Sequence, residues 1–115
     1  MSAAFETKVH VTRYEQVLVI TVRGELDQDD AEALDDAFAA ADEAGLPTTA
    51  VDLSRVTFAD STLLNALLDT RRRHATDGRE LVLLGPLQPA VTRLLTVTGT
   101  IAHFTIAGTG PSPSS

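Results

Sequence analysis

Apolar and polar residues alternate along the start of the chain. In residues 7–13 every second side chain belongs to one face, which is the period of a half-buried β-strand. Residues 17–22 form a continuous apolar run rich in β-branched side chains, which predicts a more fully buried strand. The two runs are close enough in sequence to pair as a hairpin, and residues 23–25 are predicted to end it.

A helix is predicted to start at Asp27 and to end before Gly45, where Pro47 also favours a stop. Its apolar residues recur at i, i+3, i+4 and i+7 and form a narrow stripe: Leu34, Ala37, Phe38 and Ala41. Eight acidic residues and no basic ones lie between Asp27 and Glu43. This run indicates either a solvated helix face or a docking surface for a basic partner.

A third strand and a second helix follow in residues 50–76. Residues 50–53 predict a short strand, and Phe58 is expected to pack inward before Asp60, Ser61 and Thr62 open the helix. Asp and Ser are favoured at helix starts because their side-chain oxygens accept backbone N–H groups that the first turn leaves unpaired. The helical spacing predicts one apolar stripe, which Arg71 and Ala75 extend: Leu63, Leu64, Leu67 and Leu68.

The polar residues of this helix form a second stripe on the solvated side: Ser61, Asn65, Asp69 and Arg72. Ser61 is therefore predicted to lie exposed at the positive end of the helix dipole. A phosphate at this position would meet unpaired backbone N–H groups. Two interpretations stay open here, a serine that belongs only to the helix cap and a serine that carries a switchable negative charge. If Asp60 is the N-cap, Leu63 occupies the third helical position and no capping box can close.

The rest of the chain predicts a strand at 81–84, a helix from Pro89 to Gly99 and an edge strand at 104–106. The order β-β-α-β-α-β-α-β predicts one α/β domain over residues 5–107. It would contain a mixed sheet of four to five strands with an opening hairpin and helices packed on it. Residues 108–115 are rich in Gly, Pro and Ser and are predicted to be disordered.

The composition limits the classes of partner. The net charge of −7 argues against nucleic acid and against insertion into anionic membranes, since both depend on basic groups. There is no cysteine for a disulfide or a thiolate metal site. The start of the chain lacks an apolar signal core, which predicts a cytoplasmic protein.

The sequence does not predict an enzyme. His74 lies thirteen residues after Ser61 on the same predicted helix, so the two would be about 20 Å apart and cannot form a catalytic pair. There is no glycine-rich phosphate loop, and the three histidines lack zinc-ligand spacing. No cofactor is therefore expected on this chain.

Three segments resemble the STAS domain, a family named for sulfate transporters and anti-sigma factor antagonists. They are G-E-L-D at 24–27, V-D-L-S-R-V-T-F-A-D-S-T at 51–62 and P-A-V-T-R-L-L-T-V-T-G at 89–99. They occur in the family's order and extend over nearly the whole chain. The resemblance implies the STAS fold. It also implies that Ser61, directly after Asp60, matches the serine that is phosphorylated in bacterial anti-sigma factor antagonists, with Thr62 as second choice.

The resemblance further implies the partners. The unphosphorylated protein would bind an anti-sigma factor with serine kinase activity and free a sigma factor, and a phosphatase would reverse the modification. ATP and magnesium would belong to the kinase. The partner-binding residues are predicted to be those at the two helix starts and along the exposed stripe: Asp27, Asp60, Ser61, Thr62, Asn65, Asp69 and Arg72. The chain is expected to be a monomer or a weak dimer.

One departure from the family pattern supports an alternative. The family motif reads D-S-S-G or D-S-T-G, and Leu63 stands at the glycine position. This residue favours a STAS subunit that is not phosphorylated and instead scaffolds a transporter or a multi-protein sensory complex.

Overall fold

The opening hairpin forms as the alternation predicts. The structure, a computed structural model, describes residues 8–107 and begins with the strands β1 (Val9–Tyr14) and β2 (Val17–Leu26). They pair antiparallel, with Tyr14 opposite Val17 across a short turn. The predicted end of β2 at residues 23–25 is wrong, because the strand continues along its next neighbour to Leu26.

The predicted order of strands and helices is confirmed. After the hairpin come α1 (Ala31–Ala44), β3 (Thr48–Ala59), α2 (Ser61–Thr76), β4 (Glu80–Leu84), α3 (Pro89–Val97) and β5 (Thr105–Ala107). Short 3-10 turns at Gln28–Asp30 and Ile101–His103 precede α1 and β5. Asp27 therefore caps a 3-10 turn, and α1 itself begins four residues later than predicted.

The described residues form one mixed sheet in the order β1-β2-β3-β4-β5. Strands β2 to β5 are parallel to one another, which confirms the predicted α/β fold with its opening hairpin. Residues 5–7 of the predicted domain and the predicted tail at 108–115 lie outside the described residues. Within 8–107, no helix has the length and apolar character needed to cross a bilayer.

The core lies between one face of the sheet and the three helices. Ile20, Val51 and Leu83 are in register on the three central strands and are fully buried. Right-handed crossovers between successive parallel strands place their helices on the same face. Each helix accordingly adds side chains to this one core, among them Leu34, Leu67 and Leu95. Side chains of the opposite face, such as Val19, Thr21 and Val82, stay half-buried, so the helices leave that face open.

The inner stripe of α2 differs from the prediction. Leu63, Leu64 and Leu67 are buried and Leu68 is half-buried, but Arg71 and Ala75 are exposed. Thr70 and His74 occupy the inner positions in their place. The reason is helical phase: positions 63, 67, 70 and 74 lie one above another on a helix, whereas 71 and 75 are turned towards solvent.

The strand β3 is much longer than the predicted strand at 50–53. It follows β2 to its end through two register shifts, until Ala59 pairs with Leu26. Phe58 lies on this extension and is 50% exposed, so the prediction that it packs inward is wrong. Ala59, next along the strand, takes the buried position instead.

A buried histidine links the helices to the sheet. His74 is 1% exposed, and its Nε2 lies 2.7 Å from the Thr49 hydroxyl on β3. Its Nδ1 lies 3.7 Å from Asp42 of α1. That carboxylate also pairs with Arg73 and Arg79, at 2.7 and 3.4 Å. Burial and the Arg79 guanidinium lower the pKa of His74 from its ordinary value of 6.5, and Asp42 and the Thr70 backbone only partly oppose them.

We expect the free energy of unfolding to fall as the pH drops below 6.5. A histidine whose folded pKa is depressed takes up a proton first in the unfolded chain, so its stabilising contribution is complete above the unfolded pKa and declines below it. His74→Gln keeps a partner for Thr49 but cannot titrate, so it should flatten this decline below pH 6.5.

The measurement is urea unfolding at a series of pH values. Exposed His103→Gln is the matched control and should keep the wild-type pH dependence. An unchanged slope in His74→Gln would show that His74 does not cause the decline.

Candidate docking site at the start of the second helix

The site is built where two parallel strands end side by side. Leu26 of β2 and Ala59 of β3 are register partners, and the residue that follows each strand is an aspartate. Asp27 and Asp60 both keep an extended backbone and each caps the turn or helix that follows. The register therefore places two capping carboxylates at the same edge of the sheet.

Asp27 is held by a reciprocal capping box. Its Oδ1 accepts the backbone N–H of Asp29 at 3.0 Å, and Asp30 Oδ2 accepts the backbone N–H of Asp27 at 3.0 Å. The Lys8 ammonium lies 3.3 Å from the same Asp30 oxygen. These contacts fix the direction in which the chain leaves β2.

Asp60 is the N-cap of α2, as predicted. Its Oδ1 accepts the backbone N–H of Thr62 at 2.8 Å. Ser61 is the first residue of the helix and is exposed, and its hydroxyl has no hydrogen-bond partner among residues 8–107. Leu63, at the third helical position, is 1% exposed and cannot close a capping box.

The two helix starts enclose a depression of about 300 Å³. It is lined by Asp27, Gln28, Asp29, Asp60, Ser61 and Thr62. Four of the predicted partner-binding residues are thus brought together. The three carboxylates of this depression have no ion-pair partner within residues 8–107, so the surroundings of Ser61 are negatively charged.

The other three predicted residues lie outside the depression. Asn65, Asp69 and Arg72 are exposed and continue from Ser61 along the outer face of α2. Asp69 and Arg72 form an ion pair with each other. These residues form a ridge that leads away from the helix start and do not line the depression.

The sequence analysis did not predict an apolar groove of about 680 Å³ beside the last residues of β3. It lies between the end of β3 and the outer side of α3 and is lined by Phe58, Ala59, Pro89, Ala90, Arg93, Leu94 and Val97. Phe58 is 50% exposed and Val97 72%. One signal could have indicated it: Val97 falls outside the inner spacing of Val91 and Leu95, so helical phase places it in solvent.

With this geometry in place, comparison with known proteins identifies the family. A family model described as "Mlab, STAS domain" matches residues 9–101. This chain belongs to the STAS domain family. The resemblance of the three sequence segments is thereby confirmed. No curated protein matches the sequence.

Solved structures share the fold of this STAS domain. An anti-sigma factor antagonist from Mycobacterium paratuberculosis superposes with a TM-score of 0.77 and 28% identity, covering 90% of this chain and 85% of that one. The anti-sigma factor antagonist SpoIIAA in its unphosphorylated form gives 0.75 and 19%, over 90% and 89% of the two chains. The Bacillus cell fate determinant SpoIIAA in the phosphorylated form gives 0.71 and 19%, over 90% and 92%.

The Asp60 cap should contribute measurably to stability. Asp60→Ala leaves the Thr62 N–H without its acceptor, and such losses lower the free energy of unfolding by about 1 kcal/mol. Asp60→Asn keeps an acceptor oxygen and should lose less than half as much. Urea unfolding at neutral pH measures both.

Asn65→Ala, on the exposed face one turn further, is the control and should change stability by less than about 0.5 kcal/mol. Equal losses in Asp60→Ala and Asp60→Asn would mean that the negative charge stabilises the helix start and the hydrogen bond does not.

Proposed function

We propose that this STAS domain is an anti-sigma factor antagonist whose binding is switched by phosphorylation of Ser61. The unmodified protein binds an anti-sigma factor with serine kinase activity and so frees a sigma factor. The antagonist from Mycobacterium paratuberculosis, similar over 90% of this chain, supports the general function. The observation that carries the switch is the exposed Ser61 hydroxyl at the first position of α2, which has no hydrogen-bond partner within residues 8–107.

A phosphate on Ser61 would be tolerated by the free domain. It adds about −1.5 to −2 charges at neutral pH. The backbone N–H groups and the dipole at the start of α2 favour it. Asp27, Asp29 and Asp60 oppose it, but all of them face water across the open depression, where repulsion is weak. The fold should therefore survive the modification.

The same phosphate would be costly in a complex. A partner that covers the depression removes water from three carboxylates, so it must supply basic groups to match them. A further dianion would have to be desolvated in the same place, where repulsion is no longer screened. Binding should then fail although the domain stays folded.

Thr62 is the second candidate for modification, but its position is less open. It is half-buried, and its backbone N–H already bonds to Asp60. Asp60 acts as a cap and as part of the recognition surface, with no role as a base. ATP and magnesium belong to the kinase, and a phosphatase regenerates the unmodified protein.

The apolar groove beside Phe58 extends the proposed docking surface. Phe58 and Asp60 are two residues apart, so a partner seated over Ser61 reaches the groove. Exposed aromatic side chains next to a polar recognition site are typical anchors of protein interfaces. We propose that the anti-sigma factor places an apolar side chain between Phe58 and Val97.

The alternative is a STAS scaffold subunit of a transporter or sensory complex that is never phosphorylated. Leu63 at the family's glycine position is the sequence feature that favours it. Because the Leu63 side chain is buried in the core, it does not cover the Ser61 hydroxyl. Co-purification with a membrane ATPase in place of a small kinase-like protein would decide for the scaffold.

Ser61→Asp should lower the affinity for the anti-sigma factor by more than about 100-fold, because it adds a charge to the centre of an acidic interface. Its free energy of unfolding should stay within about 1 kcal/mol of the wild type. Ser61→Ala should bind normally and accept no phosphate from the anti-sigma factor and ATP, as mapped by mass spectrometry.

Asn65→Asp is the matched control, since it adds the same charge one turn further along the exposed face. It should weaken binding much less than Ser61→Asp. Normal binding by Ser61→Asp, with no phosphate found on Ser61 or Thr62, would overturn the switch.

Phe58→Ser should weaken partner binding by about 2 kcal/mol, roughly 30-fold, without unfolding the protein. Tyr14→Ser is the matched control, because Tyr14 is 61% exposed and lies at the far end of the β1–β2 hairpin. Calorimetric titration with the anti-sigma factor measures both. Equal affinities for the two variants would exclude the groove from the interface.

A further inference from the structure

The open face of the sheet carries a second charged depression, opposite in sign to the one at Ser61. It has a volume of about 370 Å³ and is lined by Lys8, His10, Thr21, Arg23 and Arg55. Three of the nine lysines and arginines of this acidic chain thus converge on one place, and no carboxylate of residues 8–107 lines it.

Arg23 and Arg55 are register partners on the parallel strands β2 and β3. Like charges placed opposite each other destabilise a sheet. Neither guanidinium has a carboxylate partner among residues 8–107, although the chain contains 16 acidic residues. By contrast, Arg73 and Arg79 on the helical side share Asp42.

The polar groups beside the two arginines bond to other partners and form no ion pair with either guanidinium within residues 8–107. Asp52 pairs with Thr21 in the strand register, but its Oδ1 accepts both the backbone N–H and the hydroxyl of Ser54, at 2.9 and 2.7 Å. The Lys8 ammonium lies at the rim, donates to the Glu25 carbonyl at 2.7 Å and is paired with Asp30 at 3.3 Å, so the two arginines carry the unpaired charge. Arg23 and Arg55 therefore face each other across the strand pair without an ion-pair partner within residues 8–107.

We propose that this depression binds a small phosphate-type oxyanion between Arg23 and Arg55. Two guanidinium groups on neighbouring strands can each offer a pair of N–H donors to oxyanion oxygens, a geometry that arginine matches better than lysine. The Thr21 hydroxyl and the His10 ring supply further donors within the same depression. The bound anion would relieve the repulsion between the two arginines.

The net charge of the whole molecule limits the proposed ligand to a small anion. A net charge of −7 repels extended polyanions and anionic membranes, whereas a small anion experiences mainly the local field of the depression. The ligand is therefore a free phosphate or a small phosphorylated compound. This site is distinct from Ser61, whose surroundings are acidic, and it does not depend on the proposed switch.

Calorimetric titration of the full chain with inorganic pyrophosphate tests the proposal, with thermal unfolding as a second readout. The wild type should bind saturably, with an affinity that falls as salt is raised, and pyrophosphate should raise its Tm. Arg23→Gln and Arg55→Gln should each weaken binding at least tenfold and lose the rise in Tm. Without pyrophosphate both variants should be at least as stable as the wild type, because each removes one of two opposed charges.

Arg13→Gln is the matched control, since Arg13 is also exposed and has no ion-pair partner within residues 8–107 but does not line the depression. It should bind pyrophosphate within twofold of the wild type. The absence of saturable binding, or equal binding by the wild type, Arg23→Gln and Arg55→Gln, would overturn the proposal and leave the arginines as groups that only keep the open face hydrated.

Discussion

The pairing of β2 with β3 is the interaction on which the rest of the site depends. The two strands run parallel and stay paired until Leu26 meets Ala59, so they end at the same edge of the sheet. Each is followed by an aspartate with extended backbone that caps the next turn. If the register slipped by one residue, the side chains of β3 would exchange faces, and the cap of α2 would no longer lie beside Asp27. Backbone hydrogen bonds between strands therefore position the charges around Ser61.

The helices and their ends could be predicted from the sequence because they depend on neighbours a few residues away. The stripe of α1 from Leu34 to Ala41 and the Asp60 cap follow from spacing and from local hydrogen bonding. The same holds for the exposed face that begins at Ser61. Periodicity decided which side of α2 faces solvent, and the structure agrees at all four positions of that face.

The features that the sequence did not reveal depend on contacts between distant residues. Phe58 is exposed because β3 extends along β2, which a pattern local to residues 50–53 cannot show. His74 of α2 is buried because Thr49 of β3 and Asp42 of α1 supply polar neighbours. Histidine is only intermediate in its tendency to be buried, so its burial here depends on these tertiary contacts. The convergence of Arg23 and Arg55 likewise needs the strand register.

Leu63 shows how a departure from a family motif can leave a site intact. Position 63 is helical, so the family glycine is not required there for a left-handed backbone. Successive residues of an α-helix are rotated by about 100°, so the side chains of positions 61 and 63 diverge by about 200°. Leu63 consequently packs into the core while Ser61 faces water. The substitution adds apolar contact on the inner side of α2 and takes no space on the outer side, where a partner would approach the serine. The bulk of residue 63 therefore does not obstruct a partner that approaches Ser61.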